Sequence, residues 1–169
     1  MRLGLIADTH DHLTATARLV ERMAALEVEM ILHAGDYCAP FSLRPFVEAR
    51  LPLLGVFGRN DGDPEGLRAA AAAGVGIELY ESPHSMEING RRILLVHDIG
   101  DVHQRSLAGH NVVVHGCVHQ VEMKDRGDTL LINPGEACGW VYGSSTAAVL
   151  DLDTRAVEIL KLDAGGAQP

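Results

Sequence analysis

A chain of 169 residues has room for one domain with a full core, and its 47% hydrophobic fraction excludes disorder over most of its length. Lys and Arg number 14 against 23 Asp and Glu, a formal net charge of −9 with no basic run. That balance excludes a protein that grips nucleic-acid polymers by neutralising phosphates, and no apolar run approaches the about 20 residues of a bilayer span. The segment before Asp8 is too short and too weakly charged for a secretory leader, so the expected location is cytoplasmic.

Residues 1–162 are expected to form a single domain, with the small and polar residues 163–169 as a flexible tail. In chain order, Leu3 to Ala7, Met30 to His33 and Leu53 to Phe57 read as strands buried on both faces. Ile93 to His97, Val112 to His115, Leu130 to Ile132, Ala147 to Leu152 and Val157 to Leu160 follow in the same way. Between the first two, Leu13, Ala17, Val20 and Ala24 recur at helical spacing with Arg18, Glu21 and Arg22 outward, which makes a βαβ unit. Ser42 is expected to cap a short helix through Ala49. Asp63 followed by Pro64 starts another helix, and Gly74 stops it. Asn89-Gly90 marks a hairpin, and Asp153-Thr154 turns a second one. Parallel units first and hairpins later predict an α/β fold of two packed mixed sheets flanked by helices.

Three cysteines, Cys38, Cys117 and Cys138, form no CxxC pair, so no disulfide framework is expected. The polar residues that end the apolar runs are more informative. Asp8 and His10 follow the first strand, His33 and Asp36 the second, Asn60 and Asp61 the third, and then come His97, Asp98, His115 and His119. Groups at the carboxyl ends of parallel strands converge on one crevice, so this set predicts a mixed nitrogen and oxygen site for divalent metal. Taken singly, each has an ordinary structural role, and His33, His84, His103 and His110 are expected to be structural or surface residues. His12 either reaches the site or caps the first helix.

The ordered set Asp8-Thr9-His10, Gly35-Asp36, Gly58-Arg59-Asn60-Asp61-Gly62-Asp63, His97, Gly116-Cys117-Val118-His119 and Asn133-Pro134-Gly135 resembles the calcineurin-like metallophosphoesterases. Nearest is their small single-domain branch of bacterial and archaeal phosphodiesterases, which shares its fold with a retromer subunit. The resemblance spans roughly residues 1 to 160. It implies a four-layer αββα sandwich and one or two divalent ions (Mn, Fe, Zn or Ni). It further implies hydrolysis of a small soluble phosphoester, most simply a phosphodiester, by attack of a metal-bound hydroxide. The partner would be that small substrate, with no nucleic-acid polymer and no membrane, and a homodimer is open.

Carried over by position, Asp8, His10 and His119 hold one metal, Asp36 bridges, and His97 belongs to the second metal. The chain departs from the family pattern twice, both times at that second metal. Arg59 stands where the family has Asn, and Cys117 where it has His. Three consequences are open. Cys117 with His97, Asp36 and Asn60 makes a softer second site, provided the loop shifts by one residue. Alternatively, Arg59 supplies a fixed cation for the substrate phosphate in place of the second metal. In the third case catalysis is weak or lost and the fold serves as an interaction scaffold. Arg59 and Asn60 are therefore the candidate catalytic residues, and the metal candidates are Asp8, His10, Asp36, Asn60, His97, Cys117 and His119.

Overall fold

The computed structural model describes residues 1–162; the tail expected over 163–169 lies outside the described residues. The first half runs β1 (Arg2–Ile6), α1 (Leu13–Ala25), β2 (Met30–His33), α2 (Arg44–Ala49), β3 (Leu53–Val56), α3 (Pro64–Ala73) and β4 (Ile77–Tyr80). The second half runs β5 (His84–Ile88), β6 (Arg91–Val96), α4 (Gln104–Leu107), β7 (Val112–His115), β8 (Val121–Arg126), β9 (Thr129–Pro134), β10 (Ser145–Asp151) and β11 (Val157–Leu162). Among the described residues no helix is long and apolar enough to cross a membrane.

Two mixed sheets result, one of six strands in the order β11-β10-β1-β2-β3-β4 and one of five in the order β5-β6-β7-β9-β8. The strands β1 to β4 are mutually parallel, as are β6, β7 and β9, so their carboxyl ends and the following loops point one way within each sheet. Alternation along β1 decides the layering. Leu3, Leu5 and Ala7 join Leu32 and Val56 against Ile93, Leu95, Val112, Val114 and Ile132 between the sheets. Ile6 turns the other way, into a second core with Leu19, Met23, Ile31 and Phe46 under the helices. Each such buried side chain contributes about 1.5 to 3 kcal/mol, so the two clusters hold the sandwich together. The fourth layer is thin: α4 supplies Leu107 to a small cluster with Leu94, Val96, Val113 and Leu131.

The buried face of α1 keeps Val20 inward and Arg18, Glu21 and Arg22 outward as expected, but is otherwise rotated from the expected one. Ala15, Thr16, Leu19, Val20 and Met23 are buried, whereas Ala17 and Ala24 are exposed. The physical reason is close packing over Gly4, where an added Cβ would lie 2.7 Å from the Met23 sulfur. Long Leu and Met side chains fill the space beside a glycine, and Ala loses little by facing water. Thr16 tolerates burial because its hydroxyl donates to the His12 carbonyl at 3.0 Å.

Ser42 does not cap the second helix; it lies inside a 3-10 turn, Pro40–Leu43, and its hydroxyl donates to Ala39 O at 2.6 Å. Leu43 precedes α2, which starts with Arg44-Pro45 because proline tolerates only the first helical turn. α3 keeps the expected limits, with the Asp63 carboxylate accepting the Gly66 N–H at 2.9 Å. Asn89 and Gly90 both take positive φ, 49° and 71°, and close the β5-β6 hairpin in the expected two-residue turn. Strands β4 and β8 go beyond the apolar runs. β8 is an exposed edge strand carrying Glu122, Lys124, Asp125 and Arg126, so its sequence is too polar to stand out.

Candidate metal centre

The loops after β1, β2, β3, β6, β7 and β9 meet at one end of the sandwich. Of eleven non-glycine residues with positive φ among the described residues, seven lie there: Asp8, His10, Asp11, Asp36, Cys38, Cys117 and His119. Such backbone costs of order 1 to 3 kcal/mol at each position, and its concentration in one place marks a site rather than scattered turns. Gly35 has φ +98°, and a Cβ there would lie 2.8 Å from both Gly58 N and His97 Nδ1, so the loops after β2, β3 and β6 close directly on one another.

Asp8, His10, Asp36 and His119 bring one ligand atom each within 4.8 Å of one another. His10 Nε2 lies 3.4 Å from Asp36 Oδ2 and 4.0 Å from Asp8 Oδ1, and His119 Nε2 lies 3.7 Å from Asp8 Oδ1. On the other side of Asp36, His97 Nε2 stands 3.4 Å from Oδ1. The far nitrogens are held from behind: His119 Nδ1 donates to Glu136 Oε2 at 2.9 Å, and His97 Nδ1 donates to the Ala34 carbonyl at 2.8 Å. His10 Nδ1 meets the Cys38 thiol at 3.4 Å. With Nδ1 donating to these acceptors, Nε2 is the nitrogen that His97 and His119 turn toward the carboxylate oxygens. A neutral ring nitrogen and a carboxylate oxygen so placed repel unless a cation lies between them, and His10 Nε2 is buried with no hydrogen-bond partner among the described residues. The donor set therefore fits divalent metal, of the type that mixed imidazole and carboxylate ligands select.

Burial sets the protonation of the group. It pushes the Asp8 carboxyl up to about 6, with His119 and His97 restraining the rise. Burial also lowers His10 against the pull of Asp36, leaving the neutral imidazole that a metal requires.

Asn60, rather than Arg59, faces Asp36. The Asn60 backbone N–H donates to Asp36 Oδ1 and its amide to Oδ2, both at 2.8 Å. Asp61 makes this turn: one of its oxygens accepts the N–H groups of Tyr37 and Cys38 at 2.6 and 2.8 Å, and the other accepts Gly58 N–H at 2.6 Å. Arg59 points to the rim, where it pairs with Asp98 at 2.7 Å and Asp101 at 3.2 Å and stays 57% exposed. Cys117 touches Asp8 through its backbone N–H at 3.1 Å, while its thiol turns toward Asp98 at 3.6 Å and burial pushes it up to about 11.

His12 precedes α1, but its Nδ1 hydrogen bonds to the Cys138 carbonyl at 2.7 Å and its ring stacks on Trp140. His33 is fully buried, hydrogen bonded to Thr9 Oγ1 at 3.1 Å and stacked on Tyr37. His84 stacks on Tyr80, His103 caps α4, and His110 bonds to Ser85 and Ser106, away from the cluster. Sequence reasoning did not single out Glu136 or Trp140 as site residues. Glu136 carried the available signal, an acid directly after an apolar strand as with Asp8 and Asp36. Trp140 carried none.

Fold and sequence together define a phosphoesterase scaffold, and the chain belongs to the calcineurin-like phosphoesterase superfamily, whose domain it matches over residues 1–155. It is 27% identical over 162 residues to a phosphodiesterase of Methanocaldococcus jannaschii, covering 92% of this chain and 95% of that protein. A probable metallophosphoesterase of Methanothermobacter thermautotrophicus is 31% identical over 147 residues, covering 80% and 76% of the two chains. Among solved structures, an archaeal phosphodiesterase superposes with a TM-score of 0.88 at 27% identity, covering 96% of this chain and all of that one. Vps29 of Entamoeba histolytica, in complex with zinc, superposes at 0.68 with 16% identity, covering 98% of this chain and 100% of its own, a likeness of fold alone.

Proposed function

We propose that this chain is a metal-dependent phosphodiesterase that cleaves a small phosphoester. The observation that carries this reading is the convergence of three imidazole Nε2 atoms on the carboxylates of Asp8 and Asp36, with His10 Nε2 buried and without a hydrogen-bond partner among the described residues. The relatives named as phosphodiesterases support the same chemistry.

We assign Asp8, His10 and His119 to one ion and His97 and Asn60 to a second, with Asp36 shared. The division of Asp36 supports separate places for the two histidines, since Oδ2 faces His10 and Oδ1 faces His97, while Asn60 reaches both oxygens. Bound divalent metal supplies Lewis acidity toward phosphoryl oxygen and makes water a nucleophile near neutral pH. The protein's own part is orientation and charge. Glu136 and the Ala34 carbonyl fix the tautomers of His119 and His97, so both present Nε2 without a proton. Asn60 brings an amide to Asp36 that adds no charge to a pocket already holding two buried carboxylates. Arg59 stands at the rim beside Asp98, close enough to the mouth to meet an arriving anion, and it leaves the inner position to metal.

Elemental analysis of protein purified without added metal, paired with hydrolysis of an aryl phosphodiester across a metal series, tests the assignment. Two ions per chain with turnover is the expected result. One ion with turnover would move the second role to Arg59. Bound metal with no turnover on diesters or monoesters would overturn the enzyme reading in favour of an interaction scaffold.

A further inference from the structure

The chain has a single tryptophan, and it is not in either core. Trp140 is 62% exposed at the edge of the metal centre. An indole is among the most buried side chains on average, so one left largely in water on a fixed backbone contributes little to folding. Its position is set by the metal ligands' own supports. The Glu136 carboxylate that holds His119 also accepts the N–H groups of Val141 and Tyr142, at 3.0 and 2.6 Å. Gly139 turns the chain with φ +69°, where a Cβ would lie 2.7 Å from Ser145 Oγ, so the loop packs tightly at its base.

The rings form a row. His119 and His10 stack with centroids 5.1 Å apart, Trp140 follows at 6.3 Å from His10, and His12 lies on Trp140 at 5.6 Å with 28° between planes. His12 is itself held by the Cys138 carbonyl, so the indole has a firm backing. Two residues on in the same loop, Tyr142 is 55% exposed, and its hydroxyl accepts from Gln120 Nε2 at 2.6 Å. The result is an aromatic rim one ring away from a metal ligand. Trp140 stands 6.3 Å from the His10 ring, within reach of an ester substituent on a phosphate bound at the cluster.

We propose that Trp140 is the platform of a substrate subsite that stacks a planar aromatic group esterified to the phosphate, either a nucleobase carried through its sugar or a simple aryl group. This rests on the phosphodiesterase reading, which it extends from reaction to substrate class. Aromatic stacking suits the chain's charge, since a neutral ring adds no anion to a protein of net −9 while the phosphate charge goes to the metals. Every base or aryl ring has a π-face, so the subsite selects aromatic over aliphatic esters.

Because Trp140 is the sole indole, its fluorescence reports this subsite independently of turnover. Metal-loaded protein is titrated with adenosine monophosphate, phenyl phosphate, ribose phosphate and inorganic phosphate. The first two are expected to quench saturably and the last two to leave the emission unchanged. Binding of adenosine monophosphate about tenfold tighter than phenyl phosphate assigns the nucleobase, and equal binding assigns aryl groups generally. In hydrolysis, Trp140→Ala should raise KM about tenfold for an aryl or nucleotide diester. It should leave kcat and metal content unchanged, and leave KM for a glycerophosphodiester as in the parent. Trp140→Phe should restore most of the loss. Equal emission changes with all four ligands, a uniform rise in KM, or a changed oligomeric state in Trp140→Ala would each overturn the subsite while leaving the phosphodiesterase intact. Quenching by the aromatic ligands without hydrolysis of any ester would support the subsite and sink the enzyme.

Discussion

Glu136 Oε2 accepts a hydrogen bond from Nδ1 of His119 at 2.9 Å, and the carboxylate is 1% exposed. Its charge is stabilised by that imidazole and by the backbone N–H groups of Tyr142 and Val141, which together outweigh the burial penalty and hold Glu136 below the ordinary carboxylate value. One side chain thus orients both the His119 ring and the loop that carries Trp140.

Glu136→Gln keeps the shape but removes the charge behind His119. Supporting carboxylates of this kind are worth about 10- to 100-fold in metal affinity. Calorimetric titration with divalent metal should show a loss in that range. Affinity equal to the parent would show that His119 does not depend on Glu136.

Asp36→Asn removes one of the two anionic side chains at the centre of the cluster and turns one of the two oxygens that accept from Asn60 into an N–H donor. Metal content by elemental analysis should fall below one ion per chain, and turnover should fall more than about a hundredfold, beyond the loss of a supporting residue. Unchanged turnover would refute the shared role.

The two neighbours Arg59 and Asn60 should behave oppositely. Asn60→Ala removes the amide that faces Asp36, and loss of metal and of kcat is expected. Arg59→Ala removes a rim cation paired with Asp98 and Asp101, so metal content should be unchanged while KM rises. If Arg59→Ala also empties one metal position, the rim assignment is wrong.

Acid should destabilise the metal-free protein through its buried histidines. Burial holds His33 well below its ordinary 6.5, and lowers His115 from the same value. Gly35 N–H donates to His33 Nδ1 at 3.1 Å, so protonating that nitrogen also breaks a bond. As pH falls through 6.5 the unfolded chain binds these protons and the folded one does not, so stability held above 6.5 is lost below it. His33, held well below 6.5, approaches the limiting slope of about 1.4 kcal/mol per pH unit below that value, and His115 adds a smaller part. Asp8 acts with the opposite sign, since its folded carboxyl takes a proton near 6 before the unfolded one does near 3.8, which offsets part of the loss between those values. Denaturant midpoints measured on both sides of 6.5 should show the fall, and His33→Gln should flatten it.

Much of this protein is local and was legible in its residues. Apolar runs ending in Asp8, Asp36 and His97 marked strands and the polar residues that cluster at their carboxyl ends, because parallel strands put those ends together whatever the side chains beyond them. Asp63-Pro64 and Asn89-Gly90 marked a helix start and a hairpin because each acts on its own backbone within a few residues. The face of α1 was legible in part: Val20 is buried and Arg18, Glu21 and Arg22 are exposed as expected, but alanine is apolar enough to suit either side, and Gly4 beneath the helix makes room for Met23 rather than Ala24.

Tertiary structure alone decided the rest, wherever a side chain's role depends on a group far away in sequence. Asn60 turns to Asp36 and Arg59 to the rim because Asp61 clamps the N–H groups of Tyr37 and Cys38 on another loop. Glu136 reaches His119 only when β7 and β9 lie side by side, and that pairing places Trp140 next to His10. The residue types determined which chemistry the chain is able to perform. Long-range hydrogen bonds determined which of those groups face one another, because a bond's donor and acceptor are chosen by distance in space and not along the chain.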